Sequence, residues 1–301
     1  MKLVTFTAKP SDTSTRSNAV LSIDIPTPGV LLPVQGSAIR HEIVDLSSLG
    51  YPSVQAIIEA GSAALEAIHA AIAKAPRLTL EEVNLLAPIP RPPRIFAIGL
   101  NYQSHAAESK MAVQKVPTVF MKLSSAVVGP DTPIILPKIS TQPDYEAELA
   151  VVIGKPGYQI SAADAMNHVF GYTILNDVSA RDIQLSTSQW TLGKSFPTFS
   201  PVGPSITTAD EVPDPHALDI ELTVNGETLQ KANTRDLIFK IPALIEYLSS
   251  TTPLEAGDII STGTPEGVGL GRTPPRWLKP NEEVIITIEK LGALRNPTAA
   301  E

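Results

Sequence analysis

The chain has 301 residues, 43% of them hydrophobic and 18% charged, and it contains no cysteine. That length and apolar content predict a folded chain of about two domains, while the cysteine count excludes disulfides, thiolate nucleophiles, iron–sulfur clusters and cysteine-bound zinc. A formal charge of −8 opposes broad nucleic-acid or anionic-membrane surfaces, because phosphates are repelled, so a small-molecule partner is expected.

Residues 1–17 show no apolar signal core. The most helix-like apolar stretch, 53–75, is interrupted by Glu59, Glu66 and Lys74, too polar for a bilayer span; a cytoplasmic protein is the expectation. Runs at 3–7, 19–25 and 42–46 are β-like and lead into a helix predicted over 53–74, where Ile57, Ile58, Ala64, Leu65 and Ile68 form an apolar stripe. Four prolines then fall between Ala87 and Arg94, where missing N–H groups and fixed φ prevent regular structure. A boundary there divides an N-terminal accessory domain, 1–88, from a second domain, 94–301. The first half holds His41 and His69 without acidic partners at a recognisable spacing.

From residue 94 onward the pattern is mainly β with short helices. Strands are predicted at 94–99, 118–122, 147–153, 171–176, 218–224, 258–262 and 284–288, each a β-branched or apolar run bounded by turn formers. Asn225-Gly226 predicts a type I′ hairpin. Helices are expected at 162–168, with Ser161 as cap, and at 241–249, where Pro242 suits the first turn. The fold class is α+β.

Several groups have the composition of a site. In the predicted strand 147–153 the odd positions are apolar, so Glu146 and Glu148 share the other face about 6.6–6.8 Å apart; two carboxylates there converge on a cation or line the solvent side of an edge strand. Asp177 ends an apolar run and offers either a third oxygen ligand, suited to Mg²⁺ or Mn²⁺, or a helix cap. His105 and Glu108 stand three residues apart, which on one helical turn lets the carboxylate orient an imidazole as a general base, or leaves an ordinary surface pair. Lys122 and Lys194 sit among apolar neighbours, where a buried ammonium needs an anion, either a substrate or a structural carboxylate. The loop Thr262-Gly-Thr-Pro-Glu-Gly-Val-Gly269 lacks the ending of a phosphate-binding loop, and no Gly-x-Ser-x-Gly elbow is present.

Taken in order, Gly99-Leu-Asn-Tyr-x-x-His-x-x-Glu108, Phe120-Met-Lys122, Tyr145-Glu-x-Glu148, Asn176-Asp-Val-Ser-Ala-Arg-Asp182, Gln189-Trp-Thr-Leu-Gly-Lys194-Ser-Phe and Thr262-Gly-Thr-Pro-x-Gly-Val-Gly269 resemble the fumarylacetoacetate hydrolase superfamily. Its members include acylpyruvate hydrolases, oxaloacetate decarboxylases and oxaloacetate tautomerases. The resemblance spans about 94–288 and implies a mixed β-roll catalytic domain, a homodimer, and Mg²⁺ or Mn²⁺ held by Glu146, Glu148 and Asp177. It further implies that the cation chelates the 1-carboxylate and 2-oxo oxygen of a 2-oxo or 2,4-dioxo acid, whose C3–C4 bond is broken by hydrolysis or decarboxylation. Proton exchange at C3 is the tautomerase alternative on the same site, and a silent binding protein the alternative outside catalysis. His105 with Glu108 would activate water and Lys194 would stabilise developing charge, while Lys122, Arg181, Gln184 and Thr262 would bind substrate.

Overall fold

In strand Ala147–Ile153 every residue is buried. The odd positions Ala147, Leu149, Val151 and Ile153 join the largest core, with Ile220, Leu222 and Val224 and with Val284, Ile286 and Ile288. The even positions face a second layer: Ala150 packs with Leu175, Val202 and Ile259, and Val152 with Phe170 and Ile206. The alternation read from sequence holds, but its polar side is interior.

The computed structural model describes residues 1–9, 25–33, 41–108 and 115–301; the side chains of 105–107 lie outside it. Among the described residues a mixed, 12-stranded sheet places Ala147–Ile153 between the antiparallel strands Val169–Asn176 and Ile259–Ser261. It continues through Ile95–Gly99, parallel to Ile259–Ser261, to an edge strand Thr118–Lys122. On the other side Ser200–Thr208 follows Val169–Asn176 and pairs in turn with Lys2–Ala8. The N-terminal strands thereby extend the same sheet, and Met1, Leu3, Ile57 and Ile68 share a core with Val152, Phe170 and Ile206. A five-stranded sheet, ordered Glu227–Asn233, Asp219–Val224, Glu283–Ile288, Gly292–Ala300 and Ile134–Leu136, covers the odd face together with helix Ile241–Ser249. None of the described helices is long and apolar enough to cross a membrane.

Local chemistry explains where the elements depart from expectation. The helix predicted over 53–74 is two, Val54–Ala60 and Ser62–Ala71, because Gly61 at φ 62° turns the chain between them. The predicted helix at 162–168 is a 3₁₀ turn at Ala165–His168. Asn225 and Gly226, at φ 51° and 81°, make the expected hairpin between Asp219–Val224 and Glu227–Asn233. Strands Thr27–Pro33, Ser200–Thr208 and Gly292–Ala300 carry prolines that mask them in sequence. In Ser200–Thr208 the pairing register slips between Tyr172 and Ile174, a bulge that accommodates residues unable to donate to the ladder. The β-like run at 19–25 falls outside the described residues except for Ile25.

Helix Ile241–Ser249 starts at a side-chain acceptor: the Ile241 N–H donates to Nε2 of His216 at 3.1 Å. Burial first, then the Lys240 ammonium, lower the His216 pKa, with Asp214 opposing. A neutral ring is what the acceptor role requires. With the folded pKa below the unfolded value of about 6.5, the unfolded chain takes up the proton first as pH falls. Stability is therefore expected to fall below about pH 6.5, and a His216→Gln variant to show a shallower fall, read from denaturant midpoints between pH 5 and 8.

Candidate active site

Glu146 and Glu148 lie on the even side of the Ala147–Ile153 register, at the end where Val169–Asn176 delivers Asp177 beside them; the Asp177 N–H donates to the Glu146 carbonyl at 2.9 Å. Glu146, Glu148 and Asp177 are all buried, and each offers a carboxylate oxygen within 4.8 Å of the others. An edge-strand surface is thus excluded. Burial first, then the charges of Asp177 and Glu146, hold Glu148 well above the usual carboxylate range. Its Oε2 accepts from Ser261 Oγ at 2.5 Å and from the Gly263 N–H at 2.9 Å.

Three buried cations interlock with these acids. Lys194 Nζ donates to Glu146 at 2.8 Å, Asp177 at 2.7 Å and Ser179 Oγ at 2.8 Å, which uses all three of its protons. Lys122 Nζ meets Asp177 at 2.6 Å and also donates to the Lys194 carbonyl. The two ammonium groups diverge in proton affinity. Burial lowers the Lys122 pKa more than Asp177 restores it, whereas for Lys194 burial is outweighed by Asp177 and Glu146 together and the pKa rises. Arg181 Nη2 lies 2.6 Å from Glu146 Oε1, a close ion contact although its N–H bonds are not aimed along it. Its Nη1 donates to Gln184 Oε1 at 3.0 Å.

Asp144, which sequence reasoning missed, ties this cluster to the glycine-rich loop. Its carboxylate accepts from Arg181 Nε at 2.8 Å, from the Gly269 N–H at 2.7 Å and from the Leu270 N–H at 3.0 Å. An aspartate directly before Tyr145-Glu146 was the available signal. The loop is held from its other side by Glu108, whose carboxylate accepts from the Gly267 N–H at 3.1 Å. Glu108 ends the helix Gln103–Glu108. The His105 side chain lies outside the described residues, so its expected pairing with Glu108 does too.

A cavity of about 160 Å³ opens on this arrangement, with a polar floor of Glu146, Glu148, Arg181, Gln184, Lys194 and Thr264. Thr262, expected to bind substrate, instead donates its hydroxyl to the Leu149 carbonyl at 2.9 Å, and Thr264 lines the cavity. Lys122 is fully buried behind the floor. The rest of the lining is largely apolar, with Gly99, Leu100, Phe120, Leu185, Trp190 and Leu270. Among the described residues the donors gathered here are carboxylate oxygens of Glu146, Glu148 and Asp177, and two of these three acids line open space. That donor set fits a hard divalent cation.

A family model described as fumarylacetoacetate (FAA) hydrolase, C-terminal, matches residues 94–299. Among curated proteins, the mitochondrial oxaloacetate tautomerase fahd2 of Xenopus laevis is 43% identical over 283 residues, covering 92% of this chain and 88% of that protein. Among solved structures, maleylpyruvate hydrolase from Sphingobium sp. SYK-6, in complex with manganese(II) and pyruvate, is 34% identical with a TM-score of 0.80, covering 100% of this chain and 99% of that one. Fumarylacetoacetate hydrolase from Exiguobacterium antarcticum is 34% identical with a TM-score of 0.81 over the full length of both chains.

Proposed function

The chain belongs to the fumarylacetoacetate hydrolase family, and on that premise we propose that it acts on a 2-oxo or 2,4-dioxo acid, by keto–enol exchange or by cleavage of the C3–C4 bond. The observation that carries this reading is the buried triad Glu146, Glu148 and Asp177 opening onto a cavity with cationic neighbours. A divalent cation held by these three would supply Lewis-acid polarisation of a substrate oxygen; Mg²⁺ and Mn²⁺ both suit the donors.

The protein's own groups divide the remaining work. Gln184 Oε1 is occupied by Arg181, which leaves its amide N–H groups to donate to a substrate oxygen in the cavity. Arg181 and Lys194 hold the acidic cluster in register and offset its charge. Asp144 and Glu108 brace the glycine-rich loop over the floor. We assign His105 the proton-transfer role, because its helix ends at the loop that roofs the cavity; Glu108 anchors that helix. Residues 1–88 are read as accessory, and the assembly as a cytoplasmic homodimer.

The relatives support two reactions: tautomerisation, the activity of the more similar curated protein, and hydrolysis, that of the two structural neighbours described above. Proton NMR in D₂O separates them. The protein with Mg²⁺ or Mn²⁺ is given acetylpyruvate and, separately, oxaloacetate, against a chelated control. Acetate plus pyruvate from the first marks hydrolysis, pyruvate from the second marks decarboxylation, and accelerated loss of the C3 proton signal with carbon retained marks tautomerisation. No change in either tube, with metal bound, would count against the oxo-acid reading.

A further inference from the structure

Glu148 is gripped by the strand beside it. Ile259–Ser261 runs antiparallel to Ala147–Ile153 and sets Ser261 opposite Ala150. From there the Ser261 hydroxyl donates to Glu148 Oε2 at 2.5 Å, and the Gly263 N–H donates to the same oxygen at 2.9 Å. A carboxylate oxygen carries a pair of acceptor sites, and on Oε2 both are filled. That leaves Oε1 to meet an ion. The segment bearing the two donors is itself fixed, because the Thr262 N–H and hydroxyl both donate to the Leu149 carbonyl, at 3.0 and 2.9 Å, and the Asn101 side chain donates to the Thr262 carbonyl at 2.7 Å. Gly263 has φ 104°, and a Cβ there would stand 2.8 Å from Asn101 Cβ, so the turn is closely packed as well as hydrogen-bonded.

The other two acids are constrained by charge. Lys194 Nζ spans Glu146 Oε2 and Asp177 Oδ2, at 2.8 and 2.7 Å. The remaining oxygens, Glu146 Oε1 and Asp177 Oδ1, lie 2.6 Å from Arg181 Nη2 and from Lys122 Nζ. Turning either carboxylate to present both oxygens to one ion would draw an oxygen away from a buried cation, which is costly. Each of the three acids is therefore set to give a single oxygen, with water or substrate completing the shell. An octahedron of oxygens built in that way satisfies Mg²⁺ and Mn²⁺. Ca²⁺ takes about six to eight oxygens at longer distances and draws on two-oxygen carboxylates and flexible ligands to reach that number.

From the filled Oε2 of Glu148, the cation-bound oxygens of Glu146 and Asp177 and the fixed Ser261–Gly263 segment, we infer that the site selects small octahedral divalent cations and rejects Ca²⁺, with Ser261 the positioning residue that enforces the choice. This rests on the divalent-cation reading above. Ser261 acts through Glu148: its hydroxyl keeps the carboxylate from rotating and holds Oε2 out of the ion's reach. Gly263 supplies its contribution from the backbone, so Ser261 is the partner whose side chain decides the matter.

The test is titration calorimetry of the chelator-stripped full chain with MnCl₂, MgCl₂ and CaCl₂ at neutral pH. Mn²⁺ and Mg²⁺ are expected to bind, and Ca²⁺ to bind more weakly than either, by at least about 10-fold relative to Mn²⁺, the scale on which outer partners of a ligand act. Ser261→Ala frees an acceptor site on Glu148 Oε2 and lets the carboxylate turn both oxygens to one ion. In that variant Mn²⁺ affinity should fall about 10-fold while Ca²⁺ affinity holds or rises, so the preference for Mn²⁺ narrows by about the same factor. A merely structural disturbance would weaken both ions alike and leave the ratio unmoved.

Infrared difference spectra read the coordination mode apart from affinity and from turnover. The carboxylate stretches of the Mn²⁺-loaded parent should show the wide separation of single-oxygen ligation, and those of Ca²⁺-loaded Ser261→Ala the narrow separation of two-oxygen ligation. The parent's own preference tests the inference whether or not the variant folds. A parent that binds Ca²⁺ as tightly as Mn²⁺, or a folded Ser261→Ala variant that loses affinity for both ions equally, would overturn the inference while leaving the divalent-cation reading standing. Absence of binding by all three ions to the parent would overturn both.

Discussion

Replacing Glu148 with Gln is expected to abolish divalent-cation binding and turnover without unfolding the chain. The side-chain amide retains an oxygen for Ser261 Oγ and the Gly263 N–H, which now meet Glu148 Oε2, so the local hydrogen bonds survive. What disappears is one of three like charges in a buried space, and these charges hold the Glu148 pKa up after burial itself. The metal-free variant should therefore be at least as stable as the parent at neutral pH. Loss of an outer partner of a metal ligand typically weakens affinity about 10–100-fold, and loss of a ligand itself should exceed that. Titration calorimetry with Mn²⁺, followed by kcat and KM, measures both; full turnover with normal Mn²⁺ affinity would refute the assignment of Glu148 as a ligand.

Lys194→Met is expected to have the opposite signature. The substitution keeps much of the apolar length but strips Glu146 and Asp177 of an ammonium that now lies 2.8 and 2.7 Å away. Removing one partner of a buried ion cluster leaves charge uncompensated and costs about 3–5 kcal/mol. Arg181 and Lys122 remain, each on one of the two acids, which favours the lower end of that range. Mn²⁺ should restore much of the loss, because a cation bound only by the folded state stabilises it by mass action. Denaturant unfolding with and without Mn²⁺ provides the check. A variant as stable as the parent in the absence of metal would show that Lys194 contributes no such compensation.

The pairing of these two variants separates roles that composition alone leaves together. Glu148 brings repulsion that a cation relieves; Lys194 brings attraction that stands in the absence of one. Both belong to the same buried cluster, yet their removal moves metal-free stability in different directions.

Much of this arrangement was legible one residue at a time. The alternation in 147–153 placed Glu146 and Glu148 on one side, and the Asn225-Gly226 pair located a hairpin, because side-chain direction along a strand and tolerance of positive φ are local properties. The motif order between Gly99 and Gly269 pointed to the family and, through it, to Asp177 and the two lysines. Local pattern did not reveal what lies against each face. Pairing with Val169–Asn176 and contacts from Ser261 and Gly263 enclose Glu148, and the return of the chain that brings Lys194 to Asp177 makes its ammonium structural as well as chemical. The roles of Asp144 and Thr264, the commitment of Thr262 to a backbone carbonyl, and the fit of Trp190 over Gly99 were likewise decided by tertiary structure. Each joins residues tens of positions apart, so each depends on strand pairing and register, which the alternation within a single strand does not specify.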